Sequence, residues 1–474
     1  MTSEKVLSIF KEITRIPRES GHEEPMTRFL EKFAKDRNLE CRTDAVGNVC
    51  IVREASAGKE NVPTVVLQGH QDMVCEKIAG SRHDFLKDPI DYVIEDGWMV
   101  AKETTLGADD GIGVATMLAL LESDLPMGKI ECVFTISEET GMDGAFGMQP
   151  GFFTGRTLIN LDSEDEGWMF IGCAGGLDTK AVFHYTPEDL RPGYHIVRLE
   201  ISGLAGGHSG DDINKDRVNA VQAMSRFLFS EYAHGLQLLL FKGGNKPNAI
   251  ARECEVILGV PDPQATFERF SKFGDDLRNE YHVSDPVINI KSENNRCTEK
   301  PVDSDTAKRL ILALFACPHG VEKMSQDIPD LVETSTNLAS VRMNRRGEIE
   351  VVTSQRSSID SAKEMIAARV EANFLQAGAE VEHYSSYPGW KPDLDSHILK
   401  VCVESYRKLF GRDPEVKAIH AGLECGLFKE KFGDLDMISF GPTLRNVHTP
   451  GEKMDLKTLD MFVDHLVDVM VNFK

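Results

Sequence analysis

The sequence predicts an α/β protein whose catalytic domain is discontinuous, with a mostly parallel central sheet built from both ends of the chain and an α+β lid domain inserted between them. Three observations carry this. At 474 residues the chain is too long for one ordinary core. Strand-length apolar runs alternate with helical patterns over 1–185 and again over 391–474, as expected of parallel strands joined by crossover helices. Over 186–390 the order changes to βαββαβ, the ferredoxin-like motif, and most of that order then repeats.

Taken in order, Val6, Leu7, Ile9, Phe10, Ile13 and Ile16 recur at helical spacing and form one packed face. Ser20, answered three residues on by Glu23, reads as a capping box for a second helix. Strands follow at 49–52, 64–67, 131–136, 157–161 and 168–171, with a helix at 111–121. The inserted region reads as a strand at 194–201, a helix at 214–229, strands at 236–241 and 251–260, a helix at 263–281 and a strand at 286–290. The second pass has helices at 304–315 and 358–376 and strands at 337–343, 349–354 and 379–384. No residue-level repeat accompanies it, so the duplication is architectural. Residues 387–392, rich in Pro and Gly, form a linker. Helices at 397–409, 423–429 and 456–471 then alternate with strands at 416–419 and 437–440.

Composition narrows the function. Acids outnumber Lys and Arg by 76 to 53, a net charge of -23, which argues against nucleic acid as a partner because phosphate binding needs a basic surface. No apolar run approaches the roughly 20 residues that span a bilayer. Charged residues interrupt the first apolar positions, so the start is not a secretion signal, and the ten scattered cysteines read as reduced, buried residues. The expected location is cytoplasmic, with no membrane partner.

The chemistry lies where strands end. His70 and Asp72 follow one predicted strand, Glu138 and Glu139 a second, Asp162 a third, and His448 lies beyond a fourth. In an open parallel sheet the carboxyl ends of the strands form the binding rim. Asp109 and Asp110 open the helix at 111–121. Acids gathered this densely repel one another unless cations neutralise them. Two imidazoles with several carboxylates suit zinc, with manganese or cobalt as substitutes. Five such ligands leave no open position on a single tetrahedral ion, whereas two ions sharing a carboxylate would each have three. Such a pair activates a shared water and polarises a carbonyl.

The segments LQGHQDMV, TTLGADDGIGVA, ISEETGMDGAFG, NLDSEDEG, GLAGGHSG, HAGLECGLF and GPTLRNVHTPGE resemble, in order and over nearly the whole chain, the co-catalytic zinc peptidases related to aminoacylase and carboxypeptidase G. Within that family the resemblance is to the aminoacyl-histidine, or cytosol non-specific, dipeptidases. It implies two zinc ions per chain, His70 and Asp162 binding one, Glu139 and His448 the other, and Asp109 bridging, with a cis peptide bond after Asp109. Asp72 would orient His70, and Glu138 would be the general base for hydrolysis of a small peptide. The inserted domain would be a lid whose His208 stabilises the oxyanion, with Asn248 and Arg356 holding the peptide and terminal carboxylate. Glu424 would receive the α-amino group. Monomer and homodimer both stay open.

Plainer readings exist for each residue. A His followed at short range by Asp is most often a surface pair; Glu138 and Glu139 alone would be solvated charges, as the run Glu164, Asp165 and Glu166 is read here. His448 alone would be a loop histidine, Arg356 and Asn248 structural polar residues, and Glu424 a brace for its helix. Agreement of five ligands in order favours the metal reading. Other enzyme classes lack their marks: the dinucleotide fingerprint is incomplete, no phosphate loop of the G-x-x-x-x-G-K-[ST] type occurs, and GGHSGD is one glycine short of the serine-hydrolase elbow. The alternatives are a noncatalytic peptidase relative acting as a binding protein or, among hydrolases, a tripeptidase, a carboxypeptidase or an N-acyl amino-acid hydrolase.

Overall fold

The structure, a computed structural model, describes residues 1–344 and 346–474. It divides into two compact units. The first comprises Met1–Gly172, Pro392–Ala418 and Leu423–Lys474; the second comprises Cys173–Lys391 and Ile419–Gly422.

An eight-stranded sheet organises the first unit. Its spatial order is Glu40–Thr43, Val49–Arg53, Ile130–Thr135, Val65–His70, Thr157–Asn160, Asp436–Ser439, Trp168–Cys173 and Glu415–Ile419. The four central strands, from Ile130–Thr135 to Asp436–Ser439, are parallel. The pairs Glu40–Thr43 with Val49–Arg53, Val49–Arg53 with Ile130–Thr135, and Asp436–Ser439 with Trp168–Cys173 are antiparallel, so the sheet is mixed. Every residue of Ile130–Thr135, Val65–His70 and Thr157–Asn160 is buried, as befits strands covered on both faces. The helix Ala108–Leu121 is likewise buried along its whole length, and packs between the sheet and the helix Ser3–Ile13.

Two local features differ from the sequence reading. Ser20 and Glu23 form no capping box. The helix Glu24–Asp36 starts on Pro25 without a side-chain cap, while the Ser20 hydroxyl donates to Asp72 (2.7 Å) and the Glu23 carboxylate accepts from the N–H (3.0 Å) and hydroxyl (2.8 Å) of Ser137. Tertiary partners thus take groups that local spacing assigned to a helix end. A four-stranded antiparallel sheet of Leu444–Arg445, Lys453–Asp455, Trp98–Ala101 and Tyr92–Glu95 was also unforeseen. It ties the chain just before Asp109 to the chain just after His448.

The second unit is built on a nine-stranded sheet. Strands Asn289–Asn294, His195–Ser202, Cys254–Val260 and Gln237–Gly244 lie side by side, all antiparallel, in the order 4-1-3-2 of a ferredoxin-like βαββαβ unit. The same order recurs beyond them. Glu380–Tyr387, Gly175–His184, Glu348–Ser357 and Val332–Met343 are again strands 4-1-3-2, with the helices Ser304–Ala316 and Asp360–Gln376 as crossovers. The two repeats join through Gln237–Gly244 and Val332–Met343. The opening strand of the second repeat, Gly175–His184, had no place in the sequence reading. It is separated from its helix by the entire first repeat, so no local pattern links them.

Candidate metal centre

The parallel centre of the first unit's sheet delivers the site. His70 is the last residue of Val65–His70, and Asp162 lies two residues past Thr157–Asn160. Glu138 and Glu139 open the short helix Glu138–Gly141 behind Ile130–Thr135, after Ser137 turns the chain at φ +51°. His448 follows Asp436–Ser439 through a loop in which it, too, has a positive φ of 59°. These strands are neighbours in the sheet, so residues distant in sequence share one rim. The Asp109–Asp110 peptide bond is cis.

Asp109 is the hub. Its Oδ1 lies 3.0 Å from His70 Nε2, which is also 3.6 Å from Asp162 Oδ1. Its Oδ2 lies 3.1 Å from His448 Nε2, itself 3.0 Å from Glu139 Oε2. Each carboxylate oxygen therefore faces a different imidazole–carboxylate pair. In each set, His70–Asp109–Asp162 and Asp109–Glu139–His448, the potential ligand atoms lie within 4.8 Å of one another. This donor set fits a pair of divalent ions sharing one carboxylate. Glu138 forms a third such group with His70 and Glu139, but it is outside both sets that share Asp109.

Asp72, fully buried, organises the rim. Its Oδ1 is 3.3 Å from His70 Nδ1, leaving Nε2 to face Asp109. The same carboxylate accepts the N–H groups of Glu138 (3.2 Å) and Glu139 (3.3 Å). One side chain thus lies against the imidazole and anchors the turn that carries both glutamates.

The charge balance is lopsided. Burial alone would lower the His70 imidazole, but Asp162, Asp109 and Asp72 hold it well above its ordinary range. Hydrogen bonds to Asp109 and Glu139 push His448 up to about 11. Burial raises Asp162 to about 6, with Asp109 adding to the effect against His70. Glu138 is raised well above the carboxylate range by burial and by Asp162, Glu424 and Glu139. A rim that forces protons onto its acids and imidazoles is one that divalent cations would relieve.

Glu424, at 1% exposure, accepts from Gln68 Nε2 (2.6 Å) and Thr135 Oγ1 (2.7 Å) through Oε2, leaving Oε1 without a partner. Burial lifts its pKa to about 8. The acid run read as surface is not one. Burial, with Asp109 and Asp162, raises Glu164 to about 8, and Glu166 is held by the Tyr406 hydroxyl (2.5 Å) and Arg412 (2.9 Å). Sequence reasoning also missed Arg18 and Glu452, both buried beside the rim. Glu452 ends the GPTLRNVHTPGE segment, a signal that was available; Arg18 had none.

His208, Asn248 and Arg356 all lie in the second unit, where Ser209 connects them. The Ser209 N–H donates to the Asn248 carbonyl (2.9 Å), and its hydroxyl accepts from Arg356 Nε (3.4 Å). His208 Nδ1 faces the N–H groups of Gly210 (3.3 Å) and Asp211 (3.2 Å) and also lies 3.4 Å from the Asp211 carboxylate. Arg356 is 6% exposed and donates to the Tyr387 hydroxyl (3.0 Å). His420 lies in this unit too, 2.7 Å from the Ser335 hydroxyl, and burial lowers its pKa to about 3.

A two-unit α/β chain with this rim has the architecture of a metallopeptidase, and residues 66–472 match the model of peptidase family M20/M25/M40; the chain belongs to that family. It is 36% identical over 474 residues to the cytosol non-specific dipeptidase of Escherichia coli K12, covering 99% of this chain and 98% of that protein. Among solved structures it is similar to the aminoacylhistidine dipeptidase of Vibrio alginolyticus, with 39% identity, a TM-score of 0.91 and coverage of 99% and 96%. The aminopeptidase PepT of Bacillus cereus shares the fold, with a TM-score of 0.59 at 17% identity over 99% and 98% of the two chains. Family members depend on metal, and the rim supplies candidate ligand groups for it. No helix among the described residues is long and apolar enough to cross a membrane.

Proposed function

We propose that the chain is a metal-dependent dipeptidase of broad specificity, Xaa-His included, that works with two zinc ions, for which manganese or cobalt can substitute. The observation that carries this reading is Asp109, whose two oxygens face two separate imidazole–carboxylate pairs. Full-length similarity to two dipeptidases supports the substrate class. In this reading His70 and Asp162 would hold one ion, Glu139 and His448 the other, and Asp109 would serve both. Such a pair supplies Lewis acidity and a water of lowered pKa.

The chain's own residues do the rest. Glu138 takes the proton from the attacking water and hands it to the leaving amine, a role suited to a buried carboxylate whose pKa is raised. Asp72 keeps His70 in its tautomer. His208 donates a ring proton to the oxyanion, with Nδ1 turned toward the Gly210 and Asp211 backbone and the Asp211 carboxylate. Asn248 binds the peptide group and Arg356 the terminal carboxylate, for which a guanidinium fork is suited. Glu424 takes the α-ammonium group through its free Oε1. A cytoplasmic location fits this reading, and the protein acts as a monomer or a homodimer.

The test pairs metal analysis with hydrolysis of an Xaa-His dipeptide, a tripeptide and an N-acetyl amino acid. Cleavage of the dipeptide by metal-loaded protein is expected. Full metal loading with no peptide cleaved would overturn the reading, and cleavage of the acyl amino acid alone would move the chain to another branch of the family.

A further inference from the structure

Two buried side chains outside both ligand sets grip the backbone of the metal rim. Glu452, four residues after His448 and 2% exposed, accepts four consecutive N–H groups. Its Oε2 takes those of Leu106 (2.7 Å) and Gly107 (2.9 Å), and its Oε1 those of Ala108 (2.8 Å) and Asp109 (3.3 Å). Arg18, also 2% exposed, binds carbonyls instead. Its Nη1 donates to Asp72 (2.5 Å) and Gln71 (3.3 Å), and its Nη2 to Gly107. Gly107 is thereby held through its carbonyl by Arg18 and through its N–H by Glu452. Its φ of +69° and the close approach of Arg18 Nη2 and Met73 leave no room for a side chain.

The three segments so tied carry His70, Asp109 and His448. A bridging carboxylate must present one oxygen to each ligand set at once. Metal–ligand distances tolerate only about 0.2 Å of error, so a small rotation of residues 106–109 would withdraw one oxygen. We propose that Arg18 and Glu452 are positioning residues that set the affinity of the metal centre, by locking the Asp109 segment between those of His70 and His448. Arg18 lies outside the stretch matched by the family model, so this support reaches beyond it. The inference rests on the two-ion reading of the rim.

Glu452→Gln tests it. The amide keeps one acceptor and turns an N–H₂ donor toward two backbone N–H groups, so half the grip is lost while shape is kept. Glu131→Gln is the control: Glu131 is 1% exposed and accepts the N–H groups of Thr154 (2.7 Å) and Gly155 (2.9 Å) and the Arg42 guanidinium (2.9 Å), away from the rim. Metal dissociation constants from chelator competition at 25 °C, and the Tm of the metal-free forms, are measured for both variants and the native chain. Glu452→Gln is expected to weaken metal binding about 10–100-fold, the usual effect of losing a group behind the ligands. Glu131→Gln is expected to lower the metal-free Tm without moving the dissociation constant. Native affinity in Glu452→Gln, or equal affinity losses in both variants, would overturn the proposal. Should Glu452→Gln fail to fold, Arg18→Lys, which keeps the charge but loses the fork, is read in the same assay with the same outcomes. A native chain that binds no divalent metal would instead sink the reading of the rim.

Discussion

Replacing Glu138 by glutamine removes a proton acceptor and little else. The side chain keeps its volume, and the Glu138 N–H that anchors the turn on Asp72 (3.2 Å) is untouched. The two ligand sets around Asp109 do not include Glu138, whereas Glu139 lies 3.0 Å from His448. Metal content should therefore stay native while turnover falls. Loss of a positioned general base costs about 10²–10⁴ in rate, or about 3–5 kcal/mol of barrier. Because burial and the neighbouring Asp162, Glu424 and Glu139 already favour the protonated acid, the neutral amide changes the charge of the rim little, so metal affinity should weaken far less than in Glu139→Gln. The assay is stopped-time hydrolysis of an Xaa-His dipeptide alongside metal analysis of both variants. Loss of metal from Glu138→Gln with retention in Glu139→Gln would show that the roles of these neighbours are reversed.

Two other consequences are accessible. His208→Gln should lower kcat about 10²–10³-fold, as loss of one oxyanion donor does, with metal content unchanged; activity within twofold of native would exclude that role. The stability contributed by two buried histidines should also fall on acidification. Burial holds His420 at about 3 and His465 at about 4, so both stay neutral in the fold while the unfolded chain takes up protons near pH 6.5. Their contribution is then complete above that pH and is lost below it, on the order of 1–2 kcal/mol per histidine for each pH unit down toward 4. Urea unfolding of the metal-free native chain and of His465→Gln at pH 7.5 and 5.5 isolates the effect: relative to the variant, the native chain should lose stability between the two pH values, and an equal change in both would refute the assignment.

Much of this was written in local pattern. Periods of apolar residues placed most helices and the central strands, because a strand covered on both faces must be apolar throughout and a half-covered helix must carry a stripe. The strand-end positions of His70, Glu138, Glu139 and Asp162 followed directly, since a parallel sheet presents its carboxyl ends together. The family resemblance implies a separation of ligands from base, which spacing alone leaves open.

What only the tertiary structure decided were partnerships between groups with no local relation. Ser20 and Glu23 have the spacing of a capping box, yet their hydrogen bonds go to Asp72 and Ser137, because a buried polar rim offers them stronger partners than a helix end open to water. Gly175–His184 pairs with strands far along the chain, and a pattern two residues in period cannot say with which. Glu164 is drawn in beside Asp109 and Asp162 although its neighbours in sequence are charged. Arg18 and Glu452 are 434 positions apart and meet at one glycine. Sequence by itself determined which acids and histidines reach the shared rim, because residue types and strand ends are local properties. The fold decided what holds them in place, because a buried charge or backbone group is satisfied by whatever the packed chain brings within about 3 Å.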